Sequence, residues 1–363
     1  MKKILIAGGG TGGHLYPGIA VAAEAKNDGI EVLFVGTAQG IEARVVPREG
    51  FNLKVINAGR FKGMGASQKI KTLLSVPAGV FEAGRVIRAF GPDAVLGVGG
   101  YASFPAVLAA KIMGKPVILQ EQNAVPGLAN KLLGKIADRI CLGFQAGRSF
   151  FPKHKCILTG NPIRQGLLGI KREDALNAMQ LEQERTTILV TGGSGGATKI
   201  NRAVADALLE LTDMKNKLQF IHQTGERDLE ETAAAYDRAG FTSRVMPYIY
   251  DMAPAYACAD LVICRSGALT IAEVTALGKP AVLIPYPFAT DNHQEVNARE
   301  LEDAGAAIVV LDSEATGERL AAEIKKLLLN IESLLKMEER SKALGRPEAA
   351  AQVLRICKEA AAA

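Results

Sequence analysis

The 363-residue chain contains no tryptophan and only 5% aromatic residues, and its 38 glycines point to a fold with many tight turns. Cysteine is sparse. The five present form no C-x-x-C pair and are odd in number, which excludes a disulfide framework and a zinc site of common spacing and fits a reducing cytoplasm. No dense block of Lys or Arg underlies the formal net charge of +5, so nucleic acid is not an expected partner, whereas anionic small molecules and a membrane surface are. Residues 1–20 lack the cleavage region of a signal peptide, and the expectation is a protein that is not exported. The uncharged stretch Ala94 to Ala110 is broken by Gly97, Gly99, Gly100 and Pro105 and offers no span of about 20 apolar residues to cross a membrane. A Gly-Lys-Ser/Thr triplet is also missing, which excludes a Walker A loop.

What is present is a recurrent pattern of short apolar runs between longer helical segments. The runs are Ile4–Ala7, Val32–Val35, Ala94–Val98, Val117–Leu119, Ile140–Leu142, Ile188–Val190, Gln219–Ile221, Leu261–Ile263 and Ala281–Ile284. Without period-two alternation they indicate strands buried on both faces, hence α/β architecture with parallel sheets. The length favours two domains. "ILIAGGGTGG" from Ile4 is echoed by "ILVTGGSGGA" from Ile188, each a strand running into a glycine loop and then a helix, so two doubly wound, Rossmann-like domains are expected. "LTGNPIRQG" (Leu158–Gly166) carries the Pro and Gly punctuation of a connection and places the boundary between domains 1–163 and 164–345.

The first loop, "AGGGTGGHLYPG" (7–18), satisfies G-x-G-x-x-G through Gly8, Gly10 and Gly13. A dinucleotide site would also want an acidic residue at the end of the second strand, which instead reads Val35-Gly36-Thr37 and disfavours a redox cofactor. In the second loop Gly192-x-Ser194-x-Gly196 matches the nucleophile elbow of serine hydrolases, with Asp260 and His293 following in hydrolase order. One physical account covers both loops: glycines let backbone N–H groups approach negatively charged oxygens, and the helix that follows adds its positive dipole end. The alternative is a tight turn needing glycine for its geometry alone. A third stretch, "GVGGYASFP" (Gly97–Pro105), ends another strand, and parallel sheets collect such loops at one edge.

The motifs "GGGTGGHLYP", "GVGGYASFP", "QEQNAVPGLANK", "GNPIR", "GGSGGA" and "RSGALTIAE", in this order between Gly8 and Asn297, resemble the bacterial GT-B glycosyltransferases that complete the lipid-linked peptidoglycan unit. The resemblance implies two Rossmann-like domains facing across a cleft, with a terminal helix (346–363) crossing back to the first. It implies a hexosyltransferase that moves N-acetylglucosamine from UDP-N-acetylglucosamine to the 4-hydroxyl of a muramyl sugar on undecaprenyl pyrophosphate. It also implies peripheral binding at the cytoplasmic face of the inner membrane and partners among cell-wall synthesis and division proteins. Carried over by motif, the donor-binding residues are Thr11, Gly12 and Gly13, Asn123, Arg164, Ser194, Ile249 (backbone against uracil), the stretch Ala268, Leu269, Thr270 to Glu273, and Gln294. Arg164 suits pyrophosphate and Glu273 the ribose hydroxyls. Otherwise Arg164 is a solvated linker charge, Glu273 an exposed helix carboxylate, and Asn123 and Gln294 turn or capping residues. The chain departs from the family's Ser-Gln-Gly-Ala at Ser194-Gly195-Gly196-Ala197, so this loop acts through Ser194 and backbone N–H groups.

The inverting transfer that the resemblance implies needs a base for the acceptor hydroxyl. His14, one of four histidines, has an ordinary pKa near 6.5, and Glu121 is the second candidate as base or orienter of the base; the competing role for His14 is a hydrogen bond bracing the loop. No Asp-x-Asp motif is present, so charge on departing UDP is expected to be met by Arg164, Ser194 and the helix dipole, without a required cofactor or metal. The stretch Gln68–Gly91 mixes Lys69, Lys71, Arg85 and Arg88 with Ile70, Leu73, Leu74, Val76 and Phe81, which suits either an anionic membrane surface or an amphipathic helix packed on the core. A serine hydrolase and a non-catalytic nucleotide-binding module are the competing function classes.

Overall fold

Each uninterrupted apolar run of the sequence forms a strand buried on both faces, and the runs order themselves into two parallel sheets. A computed structural model describes the backbone of residues 1–58 and 66–363 and the side chains of 1–58 and 76–363. The chain divides into one unit of Met1–Arg164 with Arg346–Ala363 and another of Gln165–Gly345.

In the first unit the strands are β1 (Lys3–Gly8), β2 (Glu31–Gly36), β3 (Asn52–Val55), β4 (Ala94–Gly99), β5 (Val117–Glu121), β6 (Arg139–Leu142) and β7 (Cys156–Leu158), ordered β3-β2-β1-β4-β5-β6-β7. Its helices are α1 (Gly12–Asn27), α2 (Glu42–Arg48), α3 (Ala66–Phe90), α4 (Ser103–Ile112) and α5 (Leu128–Leu133). The central strand β1 shows how the layers arise. Successive side chains of a strand point to opposite faces, so Ile4 and Ile6 meet Leu15 and Ile19 of α1, while Leu5 and Ala7 meet Ala83 and Ile87 of α3 and Ala106 and Val107 of α4.

The second unit holds α6 (Arg172–Ala178), β8 (Thr186–Thr191), α7 (Thr198–Glu210), β9 (Leu218–Gln223), α8 (Leu229–Ala239), β10 (Thr242–Met246), α9 (Met252–Cys258), β11 (Leu261–Cys264), α10 (Ala268–Ala276), β12 (Ala281–Leu283), α11 (His293–Asp303), β13 (Ala307–Val309), α12 (Gly317–Leu329) and α13 (Ile331–Leu344). Its sheet runs β10-β9-β8-β11-β12-β13. The chain then returns to the first unit as α14 (Ala349–Ala362), whose Val353, Leu354, Ile356 and Cys357 join the core around Ile4 and Leu15.

Candidate active site

In both sheets the strand order reverses direction beside the first strand of the unit, between β1 and β4 and between β8 and β11. Connections leaving two such strands diverge, which opens a crevice at their carboxyl ends. The glycine loops lie there. In the first unit the Gly9 N–H donates to the Gly99 carbonyl at 3.2 Å, tying the loop after β1 to the loop after β4. Gly99 has φ +89°, and a Cβ on it would come within 2.8 Å of His14 Nδ1, so this glycine makes the room that the imidazole occupies. A pocket of about 240 Å³ opens beside the loops, lined by Gly10, Thr11, Thr37, Gln39 and Tyr101 among others. Thr11 is exposed and Gly12 opens α1, whose N-cap makes no side-chain hydrogen bond and whose first turn holds no acidic residue.

The first loop is shaped by a residue that the motifs do not reveal. Glu42, 1% exposed, accepts the Gly10 N–H at 2.7 Å and the Thr37 N–H and hydroxyl at 2.8 Å each. Gly9, Gly36 and Gly40 surround its carboxylate so closely that a Cβ on any of them would overlap it. An internal carboxylate thus holds the Gly10 amide, which is not available to a ligand. The sequence signal is the glycines at 36 and 40 flanking an acid that opens α2.

His14 is half-buried, with Nδ1 at 3.0 Å from Gln122 Oε1. Desolvation lowers its pKa from the ordinary 6.5, opposed by the Gln122 amide and the Val98 carbonyl. Glu121 faces elsewhere: it accepts the Asn123 N–H at 3.0 Å and the Asn130 side-chain amide at 2.9 Å, bracing the turn that leads into α5. Burial raises its pKa to about 7 against those hydrogen bonds. The residue in contact with His14 is therefore Gln122, which sits between the two motif residues Glu121 and Asn123. Arg164 closes the first unit; its guanidinium stacks 5.3 Å from the centre of the Tyr16 ring on α1, and no carboxylate among the described residues pairs with it.

In the second unit Ser194 is exposed at the tip of the loop after β8. A Cβ at Gly196 would lie 1.8 Å from the Thr224 carbonyl, so the loop can pack against the end of β9 only with glycine there. Gln223, which sequence reasoning missed, links two predicted positions: its Nε2 donates to the Gly193 carbonyl at 2.7 Å and its Oε1 accepts the Ile249 N–H at 3.1 Å. After β11, Gly267 leads into α10, which carries Ala268, Leu269, Thr270 and Glu273; one carboxylate oxygen of Glu273 accepts the Tyr256 hydroxyl at 2.9 Å. Gln294 accepts the Tyr286 N–H at 2.9 Å, and its own carbonyl accepts the hydroxyl of the fully buried Ser266, pinning α11 to the turn after β11. Ser194, Ile249, Ala268 and Glu273 thus all follow carboxyl ends of the second sheet.

The nucleophile-elbow reading fails on this topology. Asp260 precedes β11, pairs with Arg172 at 2.7 Å and accepts the Thr187 N–H, which places it at the amino edge of the sheet, the length of β8 away from Ser194. No hydrolytic triad can close across that distance.

Residues 4–142 match the glycosyltransferase family 28 N-terminal domain and residues 187–353 its C-terminal domain. The chain belongs to glycosyltransferase family 28. Over 359 residues it is 48% identical to the UDP-N-acetylglucosamine--N-acetylmuramyl-(pentapeptide) pyrophosphoryl-undecaprenol N-acetylglucosamine transferase of Myxococcus xanthus, covering 98% of this chain and 92% of that protein. The protein of the same name from Thermodesulfovibrio yellowstonii is also 48% identical, over 98% and 97% of the two chains. Among solved structures, MurG of Acinetobacter baumannii superposes with a TM-score of 0.81 at 33% identity, covering 99% of this chain and all of the other. A UDP-GlcNAc 2-epimerase from Neisseria meningitidis, at 16% identity and a TM-score of 0.69 over 98% and 100% of the chains, shares the fold alone. As a family 28 member the chain has the GT-B class of fold, two doubly wound domains, that its motifs led us to expect.

Proposed function

We propose that this family 28 glycosyltransferase moves N-acetylglucosamine from UDP-N-acetylglucosamine to the 4-hydroxyl of the muramyl sugar of undecaprenyl-pyrophosphoryl-MurNAc-pentapeptide. Near-full-length identity of 48% to transferases named for this reaction carries the proposal. In the proposed step the acceptor oxygen attacks the anomeric carbon as the bond to UDP breaks. The hydroxyl proton passes to Nε2 of His14, and the β-phosphate leaves with its electron pair and negative charge. The desolvated imidazole, its pKa lowered by burial, and its Nδ1 contact to Gln122 support the base role. Each unit offers its own group for charge on the leaving group: Arg164, which no carboxylate among the described residues neutralises, in the first, and the amides around Ser194 at the start of α7 in the second, with no obligatory metal. Uracil is held at the Ile249 carbonyl, and the ribose at the Glu273 carboxylate.

The lipid acceptor also requires attachment to a bilayer surface. Lys69, Ile70, Lys71, Leu73 and Leu74 lie outside the described side chains. Support comes from their neighbours: α3, α4 and α5 cover one face of the first sheet, and their outer sides expose Phe81 (68%), Ile112 (71%) and Leu128 (70%), with Arg85, Arg88 and Lys135 also exposed. Such a mixture suits the headgroup region of an anionic cytoplasmic leaflet. Among the described residues no helix is long and apolar enough to cross a membrane. Sedimentation with phosphatidylglycerol vesicles is expected to weaken several-fold when Phe81, Ile112 and Leu128 are changed to serine, and unchanged binding would remove this face from the proposal.

The transfer itself is tested with radiolabelled UDP-N-acetylglucosamine and the lipid-linked muramyl pentapeptide. Label should enter the organic phase as a β-linked disaccharide. UDP binding without transfer, or epimerisation of the sugar alone, would refute the proposed activity.

A further inference from the structure

The contact between His14 and Gln122 fixes more than a distance. Gln122 is 1% exposed, and its Nε2 donates to the Val98 carbonyl at 3.0 Å and to the Gln120 carbonyl at 3.3 Å. Carbonyl oxygens only accept, so this amide cannot be turned over without setting oxygen against oxygen at two places. The group facing His14 Nδ1 is therefore Oε1, an acceptor, and the hydrogen bond at 3.0 Å exists only when Nδ1 carries the proton. A neutral imidazole with its proton on Nδ1 has its lone pair on Nε2.

His222 in the other unit shows the contrast. Its Nδ1 lies 3.0 Å from the Tyr236 hydroxyl and its Nε2 3.0 Å from Asn201 Oδ1, so both nitrogens are engaged and the ring is sealed in the core. His14 instead combines an enforced tautomer with a place at the mouth of a glycine loop. Gly99, which gives the ring its space, belongs to the same arrangement.

We infer that Gln122 is a positioning residue for the transfer reaction: its immobilised amide oxygen holds His14 in the Nδ1-protonated tautomer and so aims the Nε2 lone pair at the acceptor hydroxyl. The inference rests on the proposed role of His14 as the base. It separates Gln122 from Glu121, whose carboxylate is committed to Asn123 and Asn130 on the other side of the chain.

The decisive readout is the tautomer itself, taken by long-range proton–nitrogen correlation on the full-length protein with labelled histidine. The His14 signals are assigned by their loss in His14→Ala among the four histidines. In the unaltered protein Nδ1 should show the protonated, pyrrole-type shift and Nε2 the unprotonated one; the reverse assignment overturns the inference without any variant being made. Gln122→Met keeps length and apolar volume but offers no acceptor, and should leave the ring in mixed tautomers. With it kcat should fall by about tenfold or more while KM for UDP-N-acetylglucosamine stays within about twofold. A Gln122→Met protein that keeps the Nδ1-protonated ring or full kcat would contradict the positioning role. Failure of the underlying base assignment looks different: His14→Ala would then retain turnover whatever the tautomer.

Discussion

Gly10 donates its backbone N–H to the buried carboxylate of Glu42 at 2.7 Å, so the first glycine loop is held from inside by an anion of the protein's own. Replacing Glu42 by Ala strands three donors, the amides of Gly10 and Thr37 and the Thr37 hydroxyl, in space that other groups cannot fill. We expect a loss of about 2–5 kcal/mol of stability by urea unfolding and at least about tenfold in kcat, since the loop also seats His14. Wild-type stability in Glu42→Ala would show that the carboxylate does not hold the loop.

Arg164 lies against Tyr16 with no carboxylate partner among the described residues, a cation available to a diphosphate. Arg164→Ala should lower kcat by about one to two orders of magnitude, and Arg164→Lys should recover only part of it, because a point charge replaces a planar fork. Turnover should survive treatment with excess EDTA. Complete loss in EDTA, restored by magnesium, would contradict leaving-group stabilisation without a metal.

Glu121 and His222 should contribute to the pH dependence of stability with opposite sign. Burial raises Glu121 from 4.5 to about 7, so between those values the folded protein binds a proton that the unfolded chain has released, and stability falls as pH rises, by about 3 kcal/mol in all. Burial lowers His222 from 6.5 to about 3, so there the unfolded chain holds the extra proton and stability falls as pH drops below 6.5. Thermal melts between pH 5 and 8 should show Glu121→Gln losing less Tm than wild type as pH rises. An identical pH slope would contradict the strained ionisation of Glu121.

Ending the chain at Gly345 should destabilise the first unit, although the residues removed follow the second in sequence. Val353, Leu354 and Ile356 are at most 2% exposed and pack with Ile4 and Leu15, and each contributes about 1.5–3 kcal/mol as an upper bound. Hydrogen exchange should rise across β1 and β4 and stay unchanged across β8 and β11. Uniform protection in both units would contradict this division.

The pattern of what the sequence shows is physical. The nine central strands are legible because burial on both faces demands continuous apolar runs. The four strands without such runs, β3, β7, β10 and β13, are the outermost of the two sheets, and β3, β7 and β10 consist of half-buried and exposed residues. An edge strand is fixed by its neighbour's ladder more than by its own side chains. The site divides in the same way. Residues on glycine loops announce themselves because the backbone needs glycine there. Glu42, Gln122 and Gln223 act by hydrogen bonds to groups that only the folded chain brings near; the glycines at 36 and 40 hint at Glu42, and nothing in the local sequence of the two glutamines distinguishes them from surface residues. Glu121, chosen with its neighbours from one motif, turns out to face Asn130, since adjacent positions on an extended chain face opposite ways.

The most direct measurement is the position of UDP-N-acetylglucosamine in crystals of the complex. The account predicts uracil against the Ile249 carbonyl, ribose at Glu273 and the diphosphate at the Ser194 loop, at the carboxyl edge of the second sheet. Density at the amino edge near Asp260, or bound entirely to the first unit, would contradict it.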